Sequence, residues 1–201
     1  MMLHYRRPFL MTSSRIALLL LAASLTWTAT AVPESPARPR VLMVTYSGAY
    51  QHDVVRREAP DGLSLAERTV VDLGRRSGAF DVSQLYSRDD LQRLTVDSFA
   101  GVRAVLFFTT GSPPFRPEVR QALLRFVLSG GGFVGVHSAT DTWYEVPEYA
   151  ELVGGVFDGH PWHQRVRIVV EDSAHPSTRH LGQGFEITDE IYQFRSWSRD
   201  K

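Results

Sequence analysis

The chain has 201 residues, 43% of them hydrophobic and 22% charged, with a formal net charge of zero, the profile of a globular protein with one sizeable core. A neutral balance supplies no basic field to gather phosphate backbones or anionic lipid, which argues against nucleic acid as a partner. There is no cysteine, so disulfides, thiolate nucleophiles and Cys-ligated zinc are excluded together.

The first residues carry Arg6, Arg7 and Arg15, then an apolar run from Ile16 to Leu25, then Ala29-Thr30-Ala31. A basic start, an apolar stretch and a small-x-small site describe a secretory signal peptide over 1–31, so a periplasmic or secreted location is expected. The apolar run is about half of what spans a bilayer, so no stable membrane span is expected after cleavage. "RRPFLM" also has the form of a twin-arginine export motif. "VPESPARP", over 32–39, is a Pro-rich linker into the domain.

From Arg40 the pattern alternates. "VLMVTY", Val41 to Tyr46, is the continuous apolar run of a parallel strand buried on both faces. Ser64 with Glu67 makes a capping box, and Ala66, Val70 and Leu73 share one helical face before Gly74 and Gly78. "FDVSQLY" reads as a weaker second strand and "VRAVLFFTTG", Val102 to Gly111, as a third. Pro117 opens a helix with Val119, Ala122, Leu123, Phe126 and Val127 on one face, ended by Gly130 to Gly132. "FVGVH" is a fourth strand, Pro147 to Val153 a short helix, and "QRVRIVV" a fifth strand whose alternation suggests an edge or antiparallel position. Strands alternating with helices predict an α/β doubly wound sheet, because parallel strands need crossovers.

Ligands of such sheets bind beyond the carboxyl ends of the strands. There the sequence places His52 and Asp53 after the first strand, Thr110, Gly111 and Ser112 after the third, and His137, Ser138 and Asp141 after the fourth. A lone loop histidine such as His52 is commonly a surface residue. His137 differs, because it closes an apolar strand, where a polar group must be satisfied or useful. Asp141 is expected to orient His137 through a carboxylate–imidazole hydrogen bond, with an N-cap role as the alternative. His160 and His163 have the spacing to share a divalent metal ion if the backbone turns, although Pro161 prevents a helix from arranging it; packing beside Trp162 is the other reading. Asp189 and Glu190 precede an aromatic run and suit a sugar-binding edge, as do Trp143 and Tyr144 among the aromatics beside the polar loops. "HPSTRHLGQGF" reads as a structural loop.

"GGGFVGVHSATDTWYEVPEYAELVGGVFDGHPWHQ", followed by "HPST" and "DEIYQF", resembles the ThuA-like (trehalose-utilisation) family of the class I glutamine amidotransferase-like superfamily, from about Arg40 to Lys201. The resemblance implies a flavodoxin-like three-layer α/β sandwich with a mainly parallel sheet, and work in carbohydrate catabolism on keto-sugars or keto-glycosides made by a partner dehydrogenase. It also marks His52, His137, Asp141, His160, Gln164 and Glu190 as the polar positions. His137 stands at or beside the position of the amidotransferase cysteine, so a glutaminase is excluded. Family members commonly continue with further strands, so the domain over 40–201 is expected to be C-terminally incomplete. The expected chemistry is proton abstraction next to a carbonyl, with His137 and Asp141 as base and orienter and His52, His160 or a metal stabilising the enediolate; isomerisation or cleavage follows. The alternative is a non-catalytic periplasmic carbohydrate-binding module.

Overall fold

The structure, a computed structural model, describes residues 37–199. The expected signal peptide and most of the linker lie outside them. Four parallel strands, β1 (Arg40–Val44), β2 (Asp81–Leu85), β3 (Val102–Phe107) and β4 (Gly132–Gly135), form a sheet in the order β2-β1-β3-β4. Helices α1 (Leu65–Ser77), α2 (Arg88–Arg93), α3 (Pro117–Leu128) and α4 (Pro147–Val153) connect and flank them. This is the flavodoxin-like α/β arrangement. The chain leaves β1 to one side and returns across it to β3, so the switch point lies beyond the carboxyl ends of β1 and β3.

The core follows the apolar runs. Leu42 and Val44 of β1 and Val105 and Phe107 of β3 are buried with Val119 and Leu123 of α3. Trp143 and Tyr149 complete an aromatic cluster around Phe107, at ring separations of 5.5 and 6.1 Å. Helix α1 starts at the expected capping box, Ser64 accepting from the Glu67 backbone at 3.2 Å while the Glu67 carboxylate accepts from Ser64 N at 2.8 Å. Gly78 closes the helix in the left-handed conformation. Helix α2 is a short element absent from the sequence reading, capped by Ser87 and Asp90. The Asp90 carboxyl is pushed up by burial, but hydrogen bonds from Ser87, Tyr86 and Arg93 outweigh that and hold it at about 2.

The fifth predicted strand is antiparallel, as its alternation suggested, but it is longer than the "QRVRIVV" run and stands outside the parallel sheet. It runs from Val156 to Val169 (β5) and pairs antiparallel with a strand over Gly184–Arg195 (β6), forming a separate two-stranded sheet. Pro161 is accommodated because the register slips between Gly159 and Trp162, and a bulge is where a strand tolerates proline. The "HPSTRHLGQGF" segment joins the two strands at the end remote from Phe157 and Phe194. Among the described residues no helix is long and apolar enough to cross a membrane.

Candidate active site

Three loops are stitched together at the carboxyl end of the sheet. Ser47 bridges to Thr110, Gly48 N donates to Thr110 O at 2.8 Å, and Gly111 bridges to Thr142. Gly111 takes φ +68, and a Cβ there would lie 2.8 Å from the Gly48 carbonyl carbon, so this crossing requires glycine. Beneath it, the buried hydroxyls of Thr109 and Thr142 are 2.8 Å apart.

The loop after β1 carries His52 and is anchored from below. Glu67, fully buried, accepts from Thr45 Oγ1 at 2.7 Å, from Arg57 Nε at 2.8 Å and from Arg57 Nη2 at 2.7 Å, as well as from Ser64. Burial alone would raise its carboxyl; the Arg57, Ser64 and Thr45 hydrogen bonds bring it below the ordinary value. One carboxylate thereby ties β1, α1 and the segment five residues beyond His52.

After β4 the chain turns at once into a 3₁₀ turn, His137–Thr140. His137 sits in the left-handed region, φ +46, unusual for a residue with a Cβ and of the kind found where a side chain must be aimed. Its Nε2 lies 3.0 Å from His52 Nε2 and 3.3 Å from Glu190 Oε1. The other Glu190 oxygen lies 3.2 Å from His160 Nδ1. An ionised carboxylate only accepts, which assigns protons to His137 Nε2 and His160 Nδ1 and leaves the His52 Nε2 lone pair facing His137. The His52 pKa is lowered from 6.5, by burial first and then by His137, so it favours the neutral form. The Tyr192 hydroxyl lies 3.3 and 3.2 Å from the two His137 ring nitrogens. Burial and then the Glu190 and Asp141 charges push its proton affinity up, keeping it a donor.

His52, His160, Glu190 and Tyr192 face a cavity of about 390 Å³ lined also by Tyr50, Ser138, Asp141 and Phe157, a volume within the ordinary range of small-molecule sites; His137 borders it through its contacts with His52, Glu190 and Tyr192. Phe157, His160 and Tyr192 form an aromatic wall, with Phe157 and Tyr192 4.5 Å apart and His160 stacked on Tyr192 at 5.8 Å. The Ser138 hydroxyl and His52 Nδ1 are buried without a hydrogen-bond partner.

Several expected site residues fall elsewhere. Asp141 lines the cavity, but its carboxylate accepts from Tyr144 at 2.5 Å; the carboxylate beside His137 is Glu190. Trp143 is 1% exposed and donates to Pro113 O at 2.9 Å, so its ring belongs to the core and reaches no ligand. Ser112 turns to Glu145, 3.3 Å away. His163 and Gln164 lie farther along β5, exposed, opposite Glu190 and Asp189. Of the two histidines His160 lines the cavity and His163 does not, and the described residues contain no group of three His, Asp or Glu that could hold a metal ion. Tyr192 was legible only as a neighbour of Glu190. Once "DEIYQF" is known to be a strand, their spacing of two puts both on one face.

The sequence profile of the family described as trehalose utilisation, ThuA, matches residues 40–201. The chain belongs to the ThuA family. That membership gives it a carbohydrate-related role and agrees with the fold. A ThuA-like protein from Bacteroides uniformis superposes with a TM-score of 0.58 at 22% identity, covering 82% of this chain and 64% of its own. A ThuA-like protein from Parabacteroides merdae gives 0.55 at 18% identity, with 77% and 62% covered. This ThuA chain thus spans somewhat under two thirds of each. No curated protein matches it.

Proposed function

We propose that the domain acts on a keto-sugar or keto-glycoside by moving the proton on the carbon next to the carbonyl, with isomerisation or cleavage following. The observation that carries this reading is the His52–His137 pair. Enolisation takes a proton from carbon and gives one to the carbonyl oxygen, and these two positions are only two bonds apart. A lone pair on His52 Nε2 beside an N–H on His137, 3.0 Å away, matches that spacing. In this reading His52 is the base and His137 the acid, with Glu190 accepting from the His137 N–H and holding it in place. That exchanges the roles expected from sequence, where His137 was the base. The C–H proton goes to His52 Nε2 and the carbonyl oxygen takes the His137 proton, leaving an enediol. Return of a proton at the neighbouring carbon isomerises the sugar, and expulsion of a β-linked group cleaves it.

The Phe157–Tyr192 wall supports a sugar, since rings pack on its C–H faces while Asp141, Ser138 and His160 are at hand for hydroxyls. A dehydrogenase that oxidises the sugar would supply such a substrate. Export through the leader over 1–31, by the twin-arginine route, belongs to the same proposal and rests on Arg6-Arg7 and the Ala29-Thr30-Ala31 site. Incubation of the protein with 3-keto-glycosides in deuterium oxide tests the chemistry. Deuterium is expected at the carbon flanking the ketone, and His52→Ala abolishes its incorporation; a wild-type protein that neither exchanges nor converts any keto-sugar refutes the proposal.

A further inference from the structure

Asp141 lines the histidine cavity, and its backbone is fixed on both sides. Its carbonyl accepts from Gly111 N at 2.7 Å, and its own N–H donates to Ser138 O at 2.8 Å. Farther along, Trp143 N donates to Gly111 O at 2.9 Å, and the Trp143 ring is locked into the core. Trp143 stands in the left-handed region, φ +49, a conformation that a residue with a Cβ keeps only where its surroundings impose it. The turn brings Tyr144 back to Asp141, and the Tyr144 hydroxyl donates to Asp141 Oδ1 at 2.5 Å. Among the described residues no other group donates to that carboxylate. The Tyr144 ring is 44% exposed, so it adds little to the core; Arg195, itself held by Asp158 at 3.0 Å, stands 5.5 Å over it. Burial first, and then the bond to Asp141, raise the pKa of the Tyr144 hydroxyl, which keeps it a donor through the neutral range.

We infer that Tyr144 is a positioning residue: it holds Asp141 Oδ1, which leaves Oδ2 to accept a hydroxyl of the sugar in the cavity, and the pair selects substrates that carry a hydroxyl at that place. The inference rests on the keto-sugar reading. An ionised carboxylate accepts and cannot donate, so the ligand group that faces it must bring an O–H. A carbonyl, an ether oxygen or a bare C–H there leaves the charge without a partner. An aspartate carboxylate left to itself turns in a broad torsional well and divides its two oxygens between water and ligand. One short, charge-assisted bond removes that freedom before the substrate arrives. Tyr144 does not itself line the cavity, so its effect on the substrate passes through Asp141.

The test is a cycle between protein and substrate. Deuterium exchange is followed on 3-keto-glucose and on its 1-, 2-, 4- and 6-deoxy counterparts, with the wild type, Tyr144→Phe, Asp141→Asn and the double variant, each checked for folding by circular dichroism. The half-saturation concentration of the wild type is expected to rise about tenfold or more for one of the deoxy sugars. Tyr144→Phe, which keeps the ring and its contact with Arg195, should cut that penalty to about threefold or less, and adding it to Asp141→Asn should change the penalty no further. The intrinsic acidity of each sugar cancels between proteins, and a merely structural loss would weaken all the sugars alike. A wild type that treats every deoxy sugar as it treats 3-keto-glucose, a penalty that survives Tyr144→Phe, or effects of the two substitutions that add, overturns the positioning role while leaving the keto-sugar chemistry standing. If no keto-sugar exchanges with the wild type, the chemistry fails instead, and titration calorimetry with glucose and the same deoxy glucoses decides the role of Tyr144: a penalty for one deoxy sugar that Tyr144→Phe removes upholds it, and equal binding or none refutes it.

Discussion

The two histidines of the candidate acid–base pair stand on the parallel sheet, whereas the carboxylate and rings that surround them stand on the hairpin, and the two regions are built differently. The sheet side is closed from beneath by buried polar groups whose hydrogen bonds are mutual: Glu67 with Arg57, Thr45 and Ser64, and Thr109 with Thr142. The hairpin is exposed along most of β5 and β6 and is held by its own ladder. Two strands alone are marginal in water. Aim is therefore set by the sheet, and the surroundings of the reacting atoms are contributed by a more loosely held arm.

The largest effect follows from breaking the sheet side. Glu67→Ala leaves the Arg57 guanidinium, with its 13% exposed side chain, without its carboxylate, and removal of one member of a buried pair costs about 3–5 kcal/mol. Denaturant unfolding is expected to show that loss, and deuterium exchange on keto-sugars should fall with it even well below the unfolding midpoint, because the loop carrying His52 is freed. Full exchange in a destabilised but folded Glu67→Ala protein would show that this anchor does not aim the histidine.

The hairpin should respond the opposite way. Glu190→Gln keeps the shape but removes the charge shared by His137 and His160. Loss of an aligned acid–base partner is worth about a hundredfold in rate, while a partly exposed substitution changes stability by about 0.5 kcal/mol or less. A variant that keeps its rate and loses stability would invert the comparison.

A third measurement concerns pH. In the proposed chemistry His52 acts in its neutral form, and burial with the neighbouring His137 lowers its pKa from 6.5. Activity should thus persist below pH 6.5 and fall about tenfold per pH unit only beneath the lowered value. The sign in stability is the same: the unfolded chain takes up this proton near 6.5 while the folded one resists, so stability drops as pH falls through that window. An acid limb above pH 6.5 would mean that His52 is not the base.

How far the sequence carries depends on the same division. The sheet elements were readable because β1 and β3 are apolar runs, and α1, α3 and α4 carry their own start signals, the Ser64 cap and a proline, Pro117 or Pro147, in the first turn. The convergence of His52 and His137 followed from the rule for strand ends. What failed was tertiary or belonged to the hairpin. β6 is mostly exposed and mixes charged with aromatic residues, so no clean alternation marked it. Without that strand, Glu190 could not be placed beside His137, and the nearer Asp141 took its role on grounds of chain proximity. Trp143 looked like a ring beside a site, because it follows the polar loop residues Ser138 and Asp141 in the chain; only packing against Phe107 and Phe115 shows that it points inward.

The smallest effect belongs to the outer hairpin. Arg165 pairs with Glu186 across β5 and β6, both on the exposed part of the ladder. Exposed pairs of this kind contribute about 0.2–1 kcal/mol, since each charge is nearly as well solvated when apart. Arg165→Ala should therefore lower the unfolding free energy by no more than that, most visibly at low salt, where screening is weakest. It should leave the exchange rate where it was, because the register that seats Glu190 and Tyr192 is fixed nearer the bulge between Gly159 and Trp162. If exchange falls severalfold instead, the outer ladder is transmitting its order to the site, and the hairpin would have to be treated as one cooperative arm rather than as a held root with a free end.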